Sequence, residues 1–334
     1  MKIIIPMAGM GKRMRPHTLT IPKPLIPIAG KPIVQRLVEE IGKNLNEKIE
    51  EIAYVIGDFG KDVENHLHNI AKSIGADSKI YYQTEALGTA HAIYCAKESL
   101  CGKVIVAYAD TLLKADFILD GSSDGIIWVK KVDDPSSFGV VKTNNENIVT
   151  DFIEKPKDKI SDLAIIGIYY FKDGKNFCKE LKYLFDNDIV VNGEYQLTDA
   201  LENMKNNNIK FKTSEVEEWL DCGNKDATVY TNQRILELNK NENLISDTAN
   251  IQNSLIKEPC FIGKNVVIKN SIIGPHLSVG ENSQIINSIV RNGIIQSNSK
   301  VEDFNIKNSM IGNSVEIVGN VPEMSIGDFT TIID

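Results

Sequence analysis

The chain has 334 residues, of which 42% are hydrophobic and 25% charged, and its formal net charge is -8 at pH 7. This length favours two domains, each large enough to bury a hydrophobic core. The acidic balance argues against nonspecific binding of nucleic acid, which requires a surplus of lysine and arginine. No apolar run approaches the roughly 18 residues of a membrane span, and the first apolar run is too short for a signal peptide. We therefore expect a cytoplasmic protein with neither nucleic acid nor membrane as a partner.

From residue 1 to about residue 220, strand-like and helix-like patterns alternate. The predicted strands are Lys2–Ile5, Ile52–Ile56, Lys79–Gln83, Val104–Ala109, Gly125–Val132, Gly139–Lys142 and Ala164–Phe171. The predicted helices are Ile33–Asn44, Lys61–Ser73, Gly88–Glu98 and Phe177–Phe185. Such alternation predicts an α/β fold with a Rossmann-like, mixed but mainly parallel sheet, whose active site lies beyond the carboxyl ends of the strands.

A glycine-containing turn follows the first predicted strand, over residues 6–16. Small residues after a strand expose backbone N–H groups that can cradle a triphosphate, and Lys12, Arg13 and Lys23 add positive charge nearby. Met14 stands where a dinucleotide-binding loop has its third glycine, and Gly11-Lys12 is not followed by the hydroxyl residue of a P-loop. The turn therefore predicts a phosphate site of another kind.

Two aspartates follow apolar segments. Asp110 comes at the end of the run from Val104 to Ala109, where it is either a ligand for a hard metal ion or the N-cap of a following helix. Asp221 lies in Trp-Leu-Asp-Cys-Gly, and the residues alone favour an N-cap or turn residue as much as a ligand.

After residues 239–241, the alternating strand and helix patterns give way to a short sequence repeat. Asn-Ser followed by two apolar residues begins at Asn253, Asn270, Asn287 and Asn308, so the first three copies are 17 residues apart and the last is 21 further on. Branched apolar residues recur about every six positions, which predicts a coil of three short sides per turn. This part resembles the left-handed parallel β-helix of hexapeptide-repeat proteins. The pattern predicts domains at 1–240 and 241–334, with a small insertion near residues 302–305.

The motifs of the first domain together resemble those of the sugar-1-phosphate nucleotidylyltransferases. The turn reads A-G-x-G-x-R-M-x-P-x-T, and P-K-P-L-x-P follows it at residues 22–27. Enzymes of this family join a sugar phosphate to a nucleoside triphosphate, release pyrophosphate and use Mg²⁺. The resemblance implies that Arg13, Lys23 and Asp110 are catalytic and that Asp110 and Asp221 bind the metal.

The same resemblance assigns nucleotide binding to Ala8, Gly9, Gly11, Lys12, Gln83, Gly88 and Thr89. The segment Gln83–Ala92 looks like the family's base-reading loop, and a glutamine amide can pair with the edge of uracil or thymine. Ala8 and Lys12 depart from the usual glycine and threonine. The resemblance favours a pyrimidine nucleotide and leaves dTTP and UTP open.

The sugar phosphate is assigned by resemblance to Gly139, Glu154, Lys155 and Glu194, with glucose 1-phosphate as the expected substrate. Two other classes stay open. The β-helix also occurs in acyltransferases that use acetyl-CoA, for which His276 is the candidate base. A regulatory, non-catalytic homologue would keep the fold without the activity. Stacked coils have open ends, so we expect a homo-oligomer.

Overall fold

The computed structural model describes residues 1–115, 122–191 and 193–319. The chain forms two compact units: Met1–Ile26 with Lys31–Asn224, and Pro27–Gly30 with the chain from Lys225 onward. The boundary predicted from the sequence lies at residues 240 and 241, whereas the helix that begins at Lys225 groups with the second unit. Residues 320–334 of the predicted second domain lie outside the described residues.

The elements up to residue 238 are as follows. The strands are β1 (Lys2–Pro6), β2 (Pro27–Ile28), β3 (Lys31–Pro32), β4 (Glu51–Ile56), β5 (Asp77–Tyr82), β6 (Val104–Ala107), β7 (Thr111–Lys114), β8 (Gly125–Lys131), β9 (Gly139–Thr143), β10 (Val149–Glu154), β11 (Leu163–Phe171), β12 (Phe211–Glu215) and β13 (Glu218–Asp221). The helices are α1 (Ile33–Lys43), α2 (Lys61–Ser73), α3 (Thr89–Cys95), α4 (Gly174–Asp186), α5 (Leu197–Asn206) and α6 (Lys225–Leu238).

The main sheet of the first unit has the strand order β10-β9-β11-β6-β1-β4-β5, with β8 beside β11 and β12 beside β8. Pairing is parallel between β1, β4, β5 and β6, and antiparallel where β11 meets β6 and β8. Strands β4 and β6 are buried at every position, which is why they appear in the sequence as apolar runs, except for Glu51 at the start of β4. The predicted α/β fold with a mainly parallel sheet is confirmed.

Several sequence-based boundaries differ from the structure. The predicted helix over Gly88–Glu98 is divided into α3 and a 3₁₀ turn at Lys97–Ser99, and the strand predicted to reach Ala109 ends at Ala107. Because Thr111 begins a strand, the N-cap interpretation of Asp110 is wrong. Among the described residues, no helix is long and apolar enough to cross a membrane.

The second unit contains short parallel strands consistent with a β-helix. They are β14 (Asn250–Gln252), β15 (Leu255–Ile256), β16 (Phe261–Ile262), β17 (Val267–Lys269), β18 (Ile272–Ile273), β19 (Leu277–Val279), β20 (Gln284–Ile286), β21 (Ile289–Ile295), β22 (Lys300–Glu302), β23 (Asn305–Ile311) and β24 (Glu316–Val318). Stacked inward side chains such as Ile268, Ile285 and Val301 are fully buried and form its core. The handedness of the coil stays a prediction.

The asparagine pattern shows how the coils stack. The side-chain amides of Asn253, Asn270 and Asn287 donate successively to one another, as their 17-residue spacing predicts. The next residue at this corner is Asp303, because its backbone N–H donates to Ile286 one coil earlier. The insertion predicted near residues 302–305 is therefore wrong: Asn308 stacks instead on Asn292, at another corner.

Candidate active site

A cleft of about 560 Å³ lies in the first unit and gathers residues from distant parts of the sequence. Of the residues predicted from the sequence, it is lined by Arg13, Thr89, Asp110, Gly139, Glu154, Lys155 and Asp221. The lining also includes Tyr108, Gln196, Thr198 and Trp219. Sequence reasoning assigned no role to these four. Tyr108, Gln196 and Trp219 each lie two residues from a predicted site residue, whereas Thr198 lies four residues after Glu194.

The acidic part of the cleft is built by two adjacent strand ends. Asp221 is the last residue of β13 and pairs in register with Thr111, while the backbone N–H of Cys222 donates to the carbonyl of Asp110 at 3.0 Å. One carboxylate oxygen of Asp221 accepts from the N–H of Gly223, so the turn interpretation of this residue describes its local structure. The pairing of β7 with β13 thus places both aspartates together.

Charges around these aspartates are closely coupled. Burial raises the pKa of Asp221, and the neighbouring Asp110 carboxylate raises it further, whereas Lys23 and Arg13 act in the opposite direction. Lys23 also forms an ion pair with Asp110, with its Nζ atom 2.7 Å from Oδ2. This arrangement brings together four residues that the sequence separates by up to about two hundred positions.

The donor set suits Mg²⁺. Two carboxylates lie side by side in a partly buried site, and Mg²⁺ favours one or two carboxylates supplemented by water and substrate phosphates. Within the described ranges, no cluster of three or more His, Cys, Asp or Glu side chains forms a complete protein cage. The residues therefore fit a metal that shares its coordination with a phosphate substrate.

The glycine turn leaves β1 as an exposed loop. Gly11 adopts φ +57, and a Cβ atom at this position would lie 3.1 Å from Cβ of Lys23, so glycine allows the loop to approach the lysine-bearing segment. Thr18 secures the loop by donating its hydroxyl to the carbonyl of Gly11 at 2.9 Å. Gly9 and Lys12 are exposed, and neither they nor Ala8 and Gly11 line the cleft.

The predicted base-reading loop is held by the segment around Tyr195. Gln83 donates its amide to the carbonyl of Gly88 at 3.2 Å. Gly88 has φ +106, and a Cβ atom there would lie 2.5 Å from the carbonyl oxygen of Tyr195. Thr89 accepts a hydrogen bond from the backbone N–H of Leu197 at 3.0 Å. Gln83 and Gly88 are thus brought together, but outside the residues that line the cleft.

The predicted sugar-phosphate residues lie on β9, β10 and the approach to α5. Burial raises the pKa of Glu154, although Lys155, whose Nζ atom is 3.8 Å from Oε1, opposes the shift. A Cβ atom at Gly139 would come within 3.0 Å of Oε2 of the same glutamate. Glu194 does not line the cleft; its carboxylate accepts from Gln196, which does.

Comparisons with known proteins agree with this architecture. Over 214 residues the chain is 35% identical to the bifunctional protein GlmU of Methanococcus aeolicus, covering 63% of this chain and 48% of that protein. Over 250 residues it is 28% identical to a glucose-1-phosphate thymidylyltransferase of Streptomyces antibioticus, covering 71% and 67%. The chain thus spans about half the length of the GlmU relative that it matches.

A solved structure and a family profile extend this similarity. The crystal structure of a UDP-glucose pyrophosphorylase complexed with UDP-glucose superimposes with a TM-score of 0.58 at 25% identity, over 71% of this chain and 98% of that one. The profile of the nucleotidyl transferase family matches residues 2–237. By this match, the chain belongs to the nucleotidyl transferase family.

Proposed function

We propose that the protein transfers a nucleotidyl group from a pyrimidine nucleoside triphosphate, dTTP or UTP, to a sugar 1-phosphate, with glucose 1-phosphate as the leading candidate. The products are a nucleoside diphosphate sugar and pyrophosphate. One observation carries the proposal: a single cleft combines the Asp110–Asp221 pair, Arg13 and the Glu154–Lys155 pair. Two anionic substrates require cations in the site, and Arg13 and Lys155 both line this cleft.

The reaction is an in-line displacement at the α-phosphorus. An oxygen of the sugar phosphate forms the new P–O bond, while the bond to the bridging oxygen breaks and its electron pair leaves with pyrophosphate. Catalysis of such a transfer depends mainly on positioning and charge stabilisation. Mg²⁺ bound by Asp110 and Asp221 would supply further neutralisation of phosphate charge.

The chain's own residues divide the remaining work. Lys155 holds the sugar phosphate. Its backbone has a φ angle of +43 just after β10, and both Lys155 and the preceding Glu154 line the cleft. Glu154 and Gly139 contact sugar hydroxyls, and Glu194 supports them through Gln196. Arg13 and Lys23 stabilise the triphosphate and the charge that develops on the departing pyrophosphate.

The preference for a pyrimidine rests on Gln83 and Gly88. Gly88 packs closely against the backbone of Tyr195, and the side-chain amide of Gln83 lies 3.2 Å from the carbonyl oxygen of Gly88. We expect a loop held this closely to accept the single ring of a pyrimidine base more readily than the double ring of a purine. The names of the thymidylyltransferase relative and the UDP-glucose-bound neighbour agree with this preference.

The direct test is a substrate panel. ATP, GTP, UTP and dTTP are each combined with several sugar 1-phosphates, and pyrophosphate release is measured with Mg²⁺. We expect release with UTP or dTTP and glucose 1-phosphate. Fastest turnover with GTP would contradict the pyrimidine assignment, and no release with any combination would favour a regulatory, non-catalytic homologue.

Acyl transfer is the second candidate, because the coils resemble those of acyltransferases and because His276 is paired with a carboxylate. The Nε2 atom of His276 lies 2.5 Å from Oε1 of Glu237, within the second unit. A carboxylate in this position can orient the imidazole of a general base. Consumption of acetyl-CoA by the full-length protein that is lost in His276→Ala would support this activity.

Self-association through the coils is also part of the proposal. Leu255, Ile272 and Ile289 occupy the same register in successive strands and point outward, with Leu255 53% exposed. A column of exposed apolar side chains on parallel strands favours a protein partner. Light scattering on the full chain should give a mass above that of one protomer, and replacement of Ile272 by lysine should lower it.

A further inference from the structure

Asn232 of helix α6 is fully buried, and its side chain is a four-way hydrogen-bonding centre in the second unit. The amide oxygen accepts from the backbone N–H of Ala29 at 2.9 Å and from Oγ of Ser278 at 2.7 Å. The amide nitrogen donates to the carbonyls of Gly293 and His276 at 3.2 and 3.4 Å. All the hydrogen-bonding positions of the amide are therefore occupied.

The bond to Ala29 is the unusual one, because it connects residues 203 positions apart. Ala29 belongs to the short segment Pro27–Gly30, which groups with α6 and the coils although the chain before and after it belongs to the first unit. The ring of Phe261 also packs on this segment, and a Cβ atom at Gly30 would come within 2.2 Å of it. These two contacts, one polar and one apolar, help to hold the segment.

The chain between this segment and Lys23 is stiff. Pro22, Pro24 and Pro27 each have a φ angle restricted by the ring. A 3₁₀ turn at Lys23–Leu25 is closed by hydrogen bonds from Leu25 to Pro22 and from Ile26 to Lys23. Ile26 and Ile28 are fully buried. A displacement at Ala29 has few soft torsions in which to be absorbed before it reaches Lys23.

We propose that Asn232 is a positioning residue for Lys23: by holding Ala29 it fixes the proline-rich segment and thereby the place of the Lys23 ammonium beside Asp110. The proposal rests on the proposed function, in which Lys23 stabilises the triphosphate and the leaving pyrophosphate. It gives the second unit a role in turnover without requiring any of its residues to touch a substrate.

The alternative is that Asn232 only stabilises the second unit. A buried amide with four partners would be costly to remove for that reason alone. The two roles differ in which kinetic constants change. A positioning role lowers kcat through Lys23 and leaves the KM for the sugar 1-phosphate nearly unchanged, whereas general loosening of the protein does not select one side of the cleft.

The test is a double-mutant cycle on the full-length protein, with pyrophosphate release as the readout. Asn232→Ala is expected to lower kcat roughly tenfold or more, since small misplacements of a charged group have effects of this size. In the Lys23→Ala background the same change should cause little further loss, while in the Lys155→Ala background the losses should multiply. Ser278→Ala is the matched control, because it removes a bond to the same amide oxygen but leaves Ala29 in place.

Each outcome decides the proposal. Losses that multiply in the Lys23→Ala background, or an equal loss of kcat in Ser278→Ala, would overturn it. If Asn232→Ala does not fold, Gly30→Ala displaces the same segment with Asn232 intact, and its effect should likewise disappear without Lys23. A wild-type protein that releases no pyrophosphate would refute the proposed function, whereas an active wild type with independent losses would refute the positioning role alone.

Discussion

The Nζ atom of Lys23 lies 2.7 Å from Oδ2 of Asp110, and the lysine side chain is only 13% exposed. Burial and the Asp110 carboxylate raise the pKa of Asp221, and the charge of the same lysine opposes this shift. One cation therefore balances two carboxylates that are also the proposed metal ligands. The positive charge of Lys23 repels a metal ion bound by these carboxylates, whereas it attracts the phosphates of the substrate.

This balance makes Lys23→Ala informative. We expect turnover to fall roughly a hundredfold, because one preorganised charge that stabilises the transition state has an effect of this order. The apparent affinity for Mg²⁺ should stay the same or increase, because the carboxylates lose a competing cation. Pyrophosphate release measured across a Mg²⁺ titration checks both. Weaker Mg²⁺ binding in Lys23→Ala would contradict the assigned roles.

Asp110→Asn and Asp221→Asn should have the opposite metal dependence. Each removes a charge that holds Mg²⁺, so turnover should fall at least about a hundredfold and more Mg²⁺ should be needed for half-maximal rate. Asp186→Asn, on the exposed end of α4, is the matched control and should keep full activity. The circular dichroism spectrum of each variant verifies the fold. Normal activity of either variant at limiting Mg²⁺ would rule out the metal site.

The sequence predicted the central part of this site because its signals are local. The apolar residues of β1, β4 and β6 are buried, so their composition alone identifies these segments as strands. Asp110 follows such a run directly. By contrast, nothing near Asp221 in the sequence indicates its partner, because the pairing of β7 with β13 joins positions more than a hundred residues apart.

The second unit shows the same limit. The repeated asparagines predicted coils, since their spacing is regular and each amide bonds to the next. The repeat shortens from 17 to 16 residues at Asp303, which replaces asparagine at the corner, while Asn308 repeats the motif at another corner. The 21-residue spacing to Asn308 therefore wrongly predicts an insertion. The contact between Asn232 and Ala29 has no sequence signal at all, because it depends on how α6 packs.

Gly88→Ala tests the base-reading loop. The added Cβ would lie 2.5 Å from the carbonyl oxygen of Tyr195, and φ of +106 is strained for alanine. We expect the KM for the nucleoside triphosphate to rise about tenfold or more, with a smaller effect on the KM for the sugar 1-phosphate. Gly75→Ala, where a Cβ meets nothing within 4 Å although φ is also positive, is the control for strain alone. Equal effects of both variants would contradict a specific role for the loop.

Glu154 predicts a dependence of stability on pH. Burial raises its pKa in the folded protein above the ordinary glutamate value. A carboxyl group with a raised folded pKa favours the folded state at low pH, and this contribution is lost as the pH rises through the folded pKa. The Tm of the wild type relative to Glu154→Gln should therefore increase as the pH falls from about 7 toward about 4.5. Glu146→Gln, on an exposed turn, should show no such trend, and a difference that is constant with pH would contradict the prediction.

The stability of the coils should depend on a ladder of buried serine hydroxyls. Ser288 is 2% exposed; its Oγ atom donates to the carbonyl of Ile286 at 2.7 Å and accepts from the N–H of Phe304 at 3.1 Å. Ser288→Ala leaves both backbone groups without this nearly fully buried partner. We expect the free energy of opening at this coil to fall by about 1–3 kcal/mol.

Hydrogen exchange at the Phe304 amide measures this loss directly, because opening of the coil exposes that N–H to solvent. Ser254→Ala is the matched control. Ser254 makes the same kind of bonds, to the carbonyl of Gln252 and the N–H of Ser271, but it lies on the first coil and is only half-buried. Water can replace its hydroxyl there, so protection of the Ser271 amide should fall much less. Equal losses at the two positions would show that burial of the ladder does not determine its contribution.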